Sequence, residues 1–221
     1  MGDHSNLSAA CNFFHKQYSI AKNDLFKLEA LIKTQLIPID NAFASDAPLE
    51  CREGCAHCCQ LRVVAFPHEL IAIYLYINRT FSRNDIRAVR DKVATQFKKI
   101  KNLTIDEHFT TNIECPLLEK NKCSIYPVRP LSCAGYNSTS EAACKDSNEN
   151  PHIVGHEGGG IPMVMEIKLA QELQVYVAGM AIHAAGDDAE QYELIGGLHA
   201  IYDDPSIIQR WVKGRKFQNK G

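Results

Sequence analysis

Four cysteines fall within nine residues, Cys51, Cys55, Cys58 and Cys59, in the stretch Cys-Arg-Glu-Gly-Cys-Ala-His-Cys-Cys. Three more follow in a second block: Cys115 opens Cys-Pro-Leu-Leu, Cys123 opens Cys-Ser-Ile-Tyr-Pro, and Cys133 closes Arg-Pro-Leu-Ser-Cys. Seven of the nine cysteines therefore sit in two short, turn-rich stretches. Thiolates are preferred ligands of zinc and of iron–sulfur clusters. Structural zinc takes four tetrahedral ligands, commonly a pair from each of two loops. Cys55-x-x-Cys58 offers one pair, and Cys115, Cys123 and Cys133 offer the other half. A [4Fe–4S] cluster also takes four cysteines, so spacing leaves both centres open. The thiols outnumber the four positions of one centre. Some are spare, or thiolates bridge, or ligands exchange. Adjacent Cys58 and Cys59 rarely hold one ion together without strain, so one of the pair is expected to be buried, bridging or reactive.

Other residues near these blocks carry weaker signals. His57 lies inside the first block and is read as facing solvent or supporting a ligand rather than as a ligand. Arg129, beside Pro130, is placed to donate to loop carbonyls or to a cluster sulfur and so tune the centre from outside; Tyr126 is expected to pack against the metal loops. Cys144 is read as an ordinary loop thiol. His152 and His156 would share a helix face at that spacing but lie in a glycine-rich stretch. His68-Glu69 begins a zinc-protease helix motif, but position 72, where the second histidine belongs, is Ala72. Gly158-Gly159-Gly160 lacks the Lys-Ser/Thr of a phosphate loop.

The elements that must position the blocks read as mainly α. Apolar residues from Leu7 to Leu36 recur at helical spacing, predicting one helix over 5–36, with Cys11 on its buried stripe as a small hydrophobe. Pro38 is expected to end it, leaving 38–50 as a linker. Gly54 supplies a left-handed turn in the first block. Leu61 to Phe66 is a short apolar run, either strand or extended loop. Pro67 suits the first turn of a helix, and Ser82 caps another running to about Lys101, with Ile86, Val89, Val93, Phe97 and Ile100 inward. Residues 102–114 read as irregular, 115–133 as a loop crossing back over the first block with one helical turn near Pro127–Leu131, and 135–161 as loop. Helices are expected over 162–185, ended by Gly186, then over 188–202 and over 205–214. The expectation is a single domain over 1–221. It is a helical domain with a loop-built cysteine metal site and little or no β: a helix over 5–36, a cysteine-cluster core over 51–136 and C-terminal helices over 162–214.

Composition excludes several function classes. A formal net charge of −2 provides no global basic field for nucleic acid or an anionic membrane, and the basic residues Lys213, Arg215, Lys216 and Lys220 read as solvated terminal charge. The N-terminus has no apolar leader, Asn6 breaks the myristoylation pattern, and no apolar run approaches the ~18 residues of a membrane span. A cytoplasmic location is expected. In a reducing compartment clustered cysteines are metal ligands or redox groups more often than disulfides, and nine is an odd number to pair.

The ordered pattern Cys-x3-Cys-x2-Cys-Cys, Cys-Pro-Leu-Leu, Cys-Ser-Ile-Tyr and Arg-Pro-x-x-Cys, over residues 51 to 136, resembles the CxxCxxCC (YkgJ-like) cysteine-cluster family of zinc- or iron-chelating domains. The resemblance implies a metal site drawn from Cys51, Cys55, Cys58, Cys59, Cys115, Cys123 and Cys133, with Tyr126, Arg129 and Pro130 as companions. Members often carry a basic residue after the last cysteine, where this chain has Ala134. Flagellin lysine methylases contain a related cluster. The expected function is thus a metal-binding protein holding an iron–sulfur cluster or zinc through thiolates. An iron–sulfur oxidoreductase or cluster-dependent transferase is the alternative. A dithiol redox role for Cys55-Ala56-His57-Cys58 would want a preceding strand in a βαβ setting, which the linker with Pro48 does not supply.

Overall fold

The computed structural model describes residues 3–44, 46–151 and 160–217. His152, His156, Gly158, Gly159 and Lys220 lie outside the described residues. The chain is mainly α, as its apolar periodicity predicts, with four two-residue strands among the described residues.

The N-terminal segment departs from the expected single helix. α1 (Asp3–Asn23) stops at Asp24, whose φ of −136° and ψ of 90° are extended; a 3₁₀ turn over Leu25–Lys27 leads into α2 (Leu28–Phe43). A straight helix over 5–36 would run about 48 Å and carry much of its apolar stripe past the core. The break lets α1 and α2 pack on each other and both pack on α8 (Met165–Ala184).

Pro38 lies inside α2 and does not end it. Its missing N–H removes one bond of the ladder, an interior defect of about 3 kcal/mol. The turns around it offset this by burial: Gln35, Leu36 and Ile39 are nearly inaccessible, and a buried Leu or Ile contributes about 1.5–3 kcal/mol. Residues 38–43 are consequently helix rather than linker, and Asp40 rides on that last turn.

α3 (Pro67–Thr80) and α4 (Arg83–Ile100) begin where the sequence predicts, with Pro67 at the first turn and the Ser82 hydroxyl accepting from the Asp85 N–H at 3.2 Å. Two further helices lie where irregular chain was expected. α5 (Ile105–Phe109) is closed by a reciprocal cap: the Thr104 N–H donates to Glu107 at 2.8 Å and the Glu107 N–H to the Thr104 hydroxyl at 3.2 Å. α7 (Glu141–Glu149) begins where the Ser140 hydroxyl accepts from the Ala143 N–H. Both are short and polar outside, so their periodicity is faint and their caps carry the signal.

α6 (Leu131–Ala134) is one turn within the second cysteine block. At the C-terminal end, α8 is terminated by Gly186 at φ +72°. The helix expected over 188–202 starts later, as α9 (Leu194–Asp203), because Tyr192–Glu193 (β4) pairs antiparallel with Val64–Ala65 (β1). α10 (Ser206–Val212) follows Pro205. One continuous set of buried apolar side chains runs from Phe14 to Phe217 and includes Ile125, Val128, Leu131 and Ala134 of the second cysteine block. Phe97, expected inward on α4, is half-buried against this core and stacks on His199, with ring centroids 3.9 Å apart. Among the described residues, no helix is long and apolar enough to cross a membrane.

Candidate metal centre

The first block is a tight loop. The Cys55 N–H donates to the Arg52 carbonyl at 3.1 Å, and Gly54 takes φ +93°, the left-handed value expected of it. A 3₁₀ turn over His57–Gln60 carries Cys58 and Cys59.

The second block is stitched to the first through its backbone. The Cys115 N–H donates to the Cys59 carbonyl at 2.8 Å and the Ile113 N–H to the Gln60 carbonyl at 3.0 Å. The chain then turns through a hairpin, Leu118–Glu119 (β2) against Lys122–Cys123 (β3), with Leu118 opposite Cys123. Lys120 and Asn121 form its left-handed turn at φ 50° and 60°. Lys122 of the hairpin forms an exposed ion pair with Glu53 of the first block.

Cys133 reaches the same region on α6, and α6 is pinned by a buried acid. Glu69, in the first turn of α3, accepts from the Leu131 N–H at 2.8 Å and from the Phe66 N–H at 2.7 Å. Burial lifts its carboxyl to about 7, against the pull of those two bonds. The Ser132 hydroxyl donates to the Val64 carbonyl at 2.7 Å. Nothing in the sequence marks Glu69 for this task, since its local spacing resembles any helix N-terminus.

The thiols sort by environment, and all nine are free. Cys133 is half-buried; desolvation pushes its thiol far up, and the charges of Cys115, Cys123, Cys59 and Glu69 push it further. Burial lifts Cys115 to about 12 and also raises Cys123. Cys58 and Cys59 hydrogen-bond to each other, which raises Cys58 and favours the thiolate of Cys59. Cys51 sits apart at the surface, where its Sγ accepts from the Ser138 N–H at 3.2 Å and it senses Cys55 and Cys144. Cys115, Cys123 and Cys133 are thus half-buried thiols whose ionisation is opposed by desolvation and by neighbouring cysteines, Cys59 among them, while Cys59 itself is favoured as a thiolate. Their anionic forms need a cation, and their softness suits zinc or an iron–sulfur cluster rather than a hard, oxygen-seeking ion. The donor chemistry fits the group, while no three of these four sulfurs come within 4.8 Å of one another, so a shared ion requires the loops to draw closer around it.

The motif companions separate. Arg129 is buried, forms an ion pair with Asp40 of α2, donates to the Tyr126 carbonyl at 3.0 Å, and its charge lowers Cys123. Tyr126 is 60% exposed; its ring lies under the Arg129 guanidinium, 3.9 Å from the ring centroid, rather than packing into the metal loops. Cys144 is on α7, buried at 7%, not on a loop. It lines a small cavity with His57, Cys58, Leu61, Tyr136, Asn148 and Ile161. His68 is a core residue: its Nε2 meets the Gln35 Oε1 at 3.2 Å and its ring stacks on Phe66.

A second grouping lies at the rim. Ligand atoms of Cys55, His57 and Glu141 all come within 4.8 Å of one another, the sole such His, Cys, Asp and Glu group of three or more among the described residues. Glu141 and the surrounding α7 are invisible to a reading of the cysteine blocks.

Comparison with known proteins bears on the same stretch. No curated protein and no solved structure matches the chain. One protein-family model does match, over residues 50–152, a span that takes in both cysteine blocks and α7. That segment is similar to the CxxCxxCC family, described as a "putative zinc- or iron-chelating domain".

Proposed function

We propose that the chain is a metal-binding protein whose centre, an iron–sulfur cluster or a zinc ion, is held by thiolates of Cys59, Cys115, Cys123 and Cys133, within a single domain over 1–221. The observation that carries this reading is the stitching of the two cysteine blocks, by the Cys115 N–H to the Cys59 carbonyl and by Glu69 holding the turn of Cys133, within a segment similar to a zinc- or iron-chelating domain. Several thiolates in one partly desolvated region are costly without a cation, and a thiolate site that closes on metal contributes its binding energy to folding. In this reading Cys58 supports Cys59 by hydrogen bonding, and Arg129, anchored by Asp40, offsets negative charge near Cys123.

Anaerobic purification followed by metal and acid-labile sulfide analysis tests it. Brown protein with iron and sulfide identifies a cluster; colourless protein with stoichiometric zinc identifies zinc. Metal-free protein with nine titratable thiols overturns the proposal. Cys133→Ser and Cys123→Ser are each expected to lose the metal, whereas Cys11→Ser, on the face of α1, keeps it.

A further inference from the structure

Seven thiols in the two blocks exceed what one centre of four ligands uses, and the tertiary structure places Cys55 beside His57 and Glu141 rather than with Cys59, Cys115, Cys123 and Cys133. Cys55 comes from the turn around Gly54, His57 opens the following 3₁₀ turn, and Glu141 is the first residue of α7. All three are half-buried, at the rim of the first block. The His57 Nε2 stands 3.8 Å from the Glu141 Oε1. Tetrahedral ligands at about 2.0–2.3 Å from a zinc ion lie roughly 3.3–3.8 Å apart, so the trio needs only a small closure to reach bonding geometry.

The surroundings hold the trio in place. The Asn148 side-chain amide donates to the His57 carbonyl at 3.1 Å and meets the His57 Nδ1 at 3.4 Å, tying the ring to α7. The Arg52 guanidinium donates to the Glu141 Oε1 at 2.9 Å and holds its carboxyl below the usual range, so Glu141 is an anion at neutral pH. Arg52 also pairs through its other guanidinium nitrogen with the Glu141 Oε2 at 2.5 Å, and its side chain is exposed, so a cation takes one carboxylate oxygen by displacing one of these two solvent-facing contacts. The Glu141 N–H donates to Glu50, which closes the rim on that side.

We propose that Cys55, His57 and Glu141 form a second metal site, separate from those four thiols. It takes a borderline divalent cation such as Zn²⁺ through one sulfur, one nitrogen and one oxygen. Three protein ligands leave a coordination position for water, as in open zinc sites, and the half-buried setting keeps that position in contact with solvent. The site, with fewer protein ligands, exchanges metal more readily than a centre of four thiolates.

Cobalt is the probe. Full-length protein purified anaerobically, with its four-thiol centre left as isolated, is titrated with Co²⁺. The wild type is expected to take up one further equivalent, with a sulfur-to-cobalt charge-transfer band and visible bands of low coordination number, displaced by added Zn²⁺. Glu141→Gln and His57→Ala should each weaken that equivalent by at least about tenfold, the range lost even with outer partners of a site. Cys55→Ser should remove the charge-transfer band. Cys133→Ser should leave the cobalt spectrum unchanged while losing the tightly held metal. Glu141→Gln changes no fold contact beyond the rim, so it remains informative if His57→Ala unfolds. No further equivalent of cobalt, or an equivalent indifferent to both His57→Ala and Glu141→Gln, overturns the proposal. A cobalt spectrum abolished by Cys133→Ser overturns the separateness of the two sites. Loss of the thiolate reading looks different: protein isolated without iron or zinc, still showing the rim cobalt band.

Discussion

Glu69 shows how a single side chain can hold a metal loop without touching metal. Its two oxygens satisfy the Phe66 and Leu131 N–H groups, joining the start of α3 to the turn that carries Cys133. Glu69→Ala orphans both donors in the interior, at about 1–3 kcal/mol each. A lowered denaturation midpoint and reduced metal retention are expected together, with Glu69→Gln intermediate because it keeps one acceptor oxygen. His68, its neighbour, makes a pH prediction. Burial lowers its imidazole from an ordinary 6.5 to about 3, so the folded state holds it neutral. Between those values the unfolded chain binds the extra proton and the folded chain does not, so stability rises with pH across that window. The contribution is whole above pH 6.5 and is lost as pH falls toward 3. His68→Phe should lower overall stability, since Gln35 loses its partner, yet flatten the slope of melting temperature against pH between about 4 and 6.5 relative to wild type. An unchanged slope would show that His68 titrates normally in the fold.

Close helix contacts set the tolerance of the elements. A Cβ at Gly197 on α9 would meet the Leu70 Cδ1 at 2.5 Å, and one at Gly135, directly after α6, would meet the Gln171 Cγ of α8 at 2.2 Å. Gln171, met at its Cβ and Cγ, cannot retreat without moving its helix, and Leu70 can do so only by repacking in the core; overpacking of this kind costs about 1–3 kcal/mol. Gly197→Ala is expected to lower the melting temperature with metal content unchanged. Gly135→Ala, two residues past Cys133, should lower both, because it pushes α6 off the helix it packs against. Thermal melts paired with metal analysis distinguish the two. α2 carries a related lesson. Its continuation past Pro38 is what presents Asp40 to Arg129, so the proline that looks like a helix stop lies inside the support of the second cysteine block.

At the scale of the molecule, the cysteine blocks do not make their own core. Val128, Leu131 and Ala134 belong to the same buried set as residues of α1, α2, α3, α8 and α9, and α6 packs against both α2 and α8. The proposed single domain therefore predicts that a fragment of residues 50–152 fails to melt cooperatively, while the full chain does. A fragment that folds and binds metal on its own would show an independent domain. Removal of metal by a chelator is expected to lower the melting temperature of the full chain, since binding only to the folded state stabilises it. The same treatment should lower that of Cys133→Ser less, since only the rim site is left to lose metal.

What the sequence determined by itself is local. Helix periodicity, Pro67, the Ser82 cap, Gly54 and Gly186 mark elements through interactions a few residues long, and the ordered cysteines identify the thiol chemistry. α5 and α7 were harder to read because they are too short for periodicity to outweigh their polar composition. The division of the helix over 5–36 at Asp24 and the passage of α2 through Pro38 were decided by burial against α8 and the core, which overrides local propensity. The cysteine spacing could not say which thiols are buried together, because that depends on the Cys59–Cys115 backbone bond and on Glu69 reaching Leu131 across 62 residues. Nor could it bring Glu141 to His57: a grouping made by folding a polar helix back over a loop leaves no trace in spacing, and only the tertiary structure supplies it.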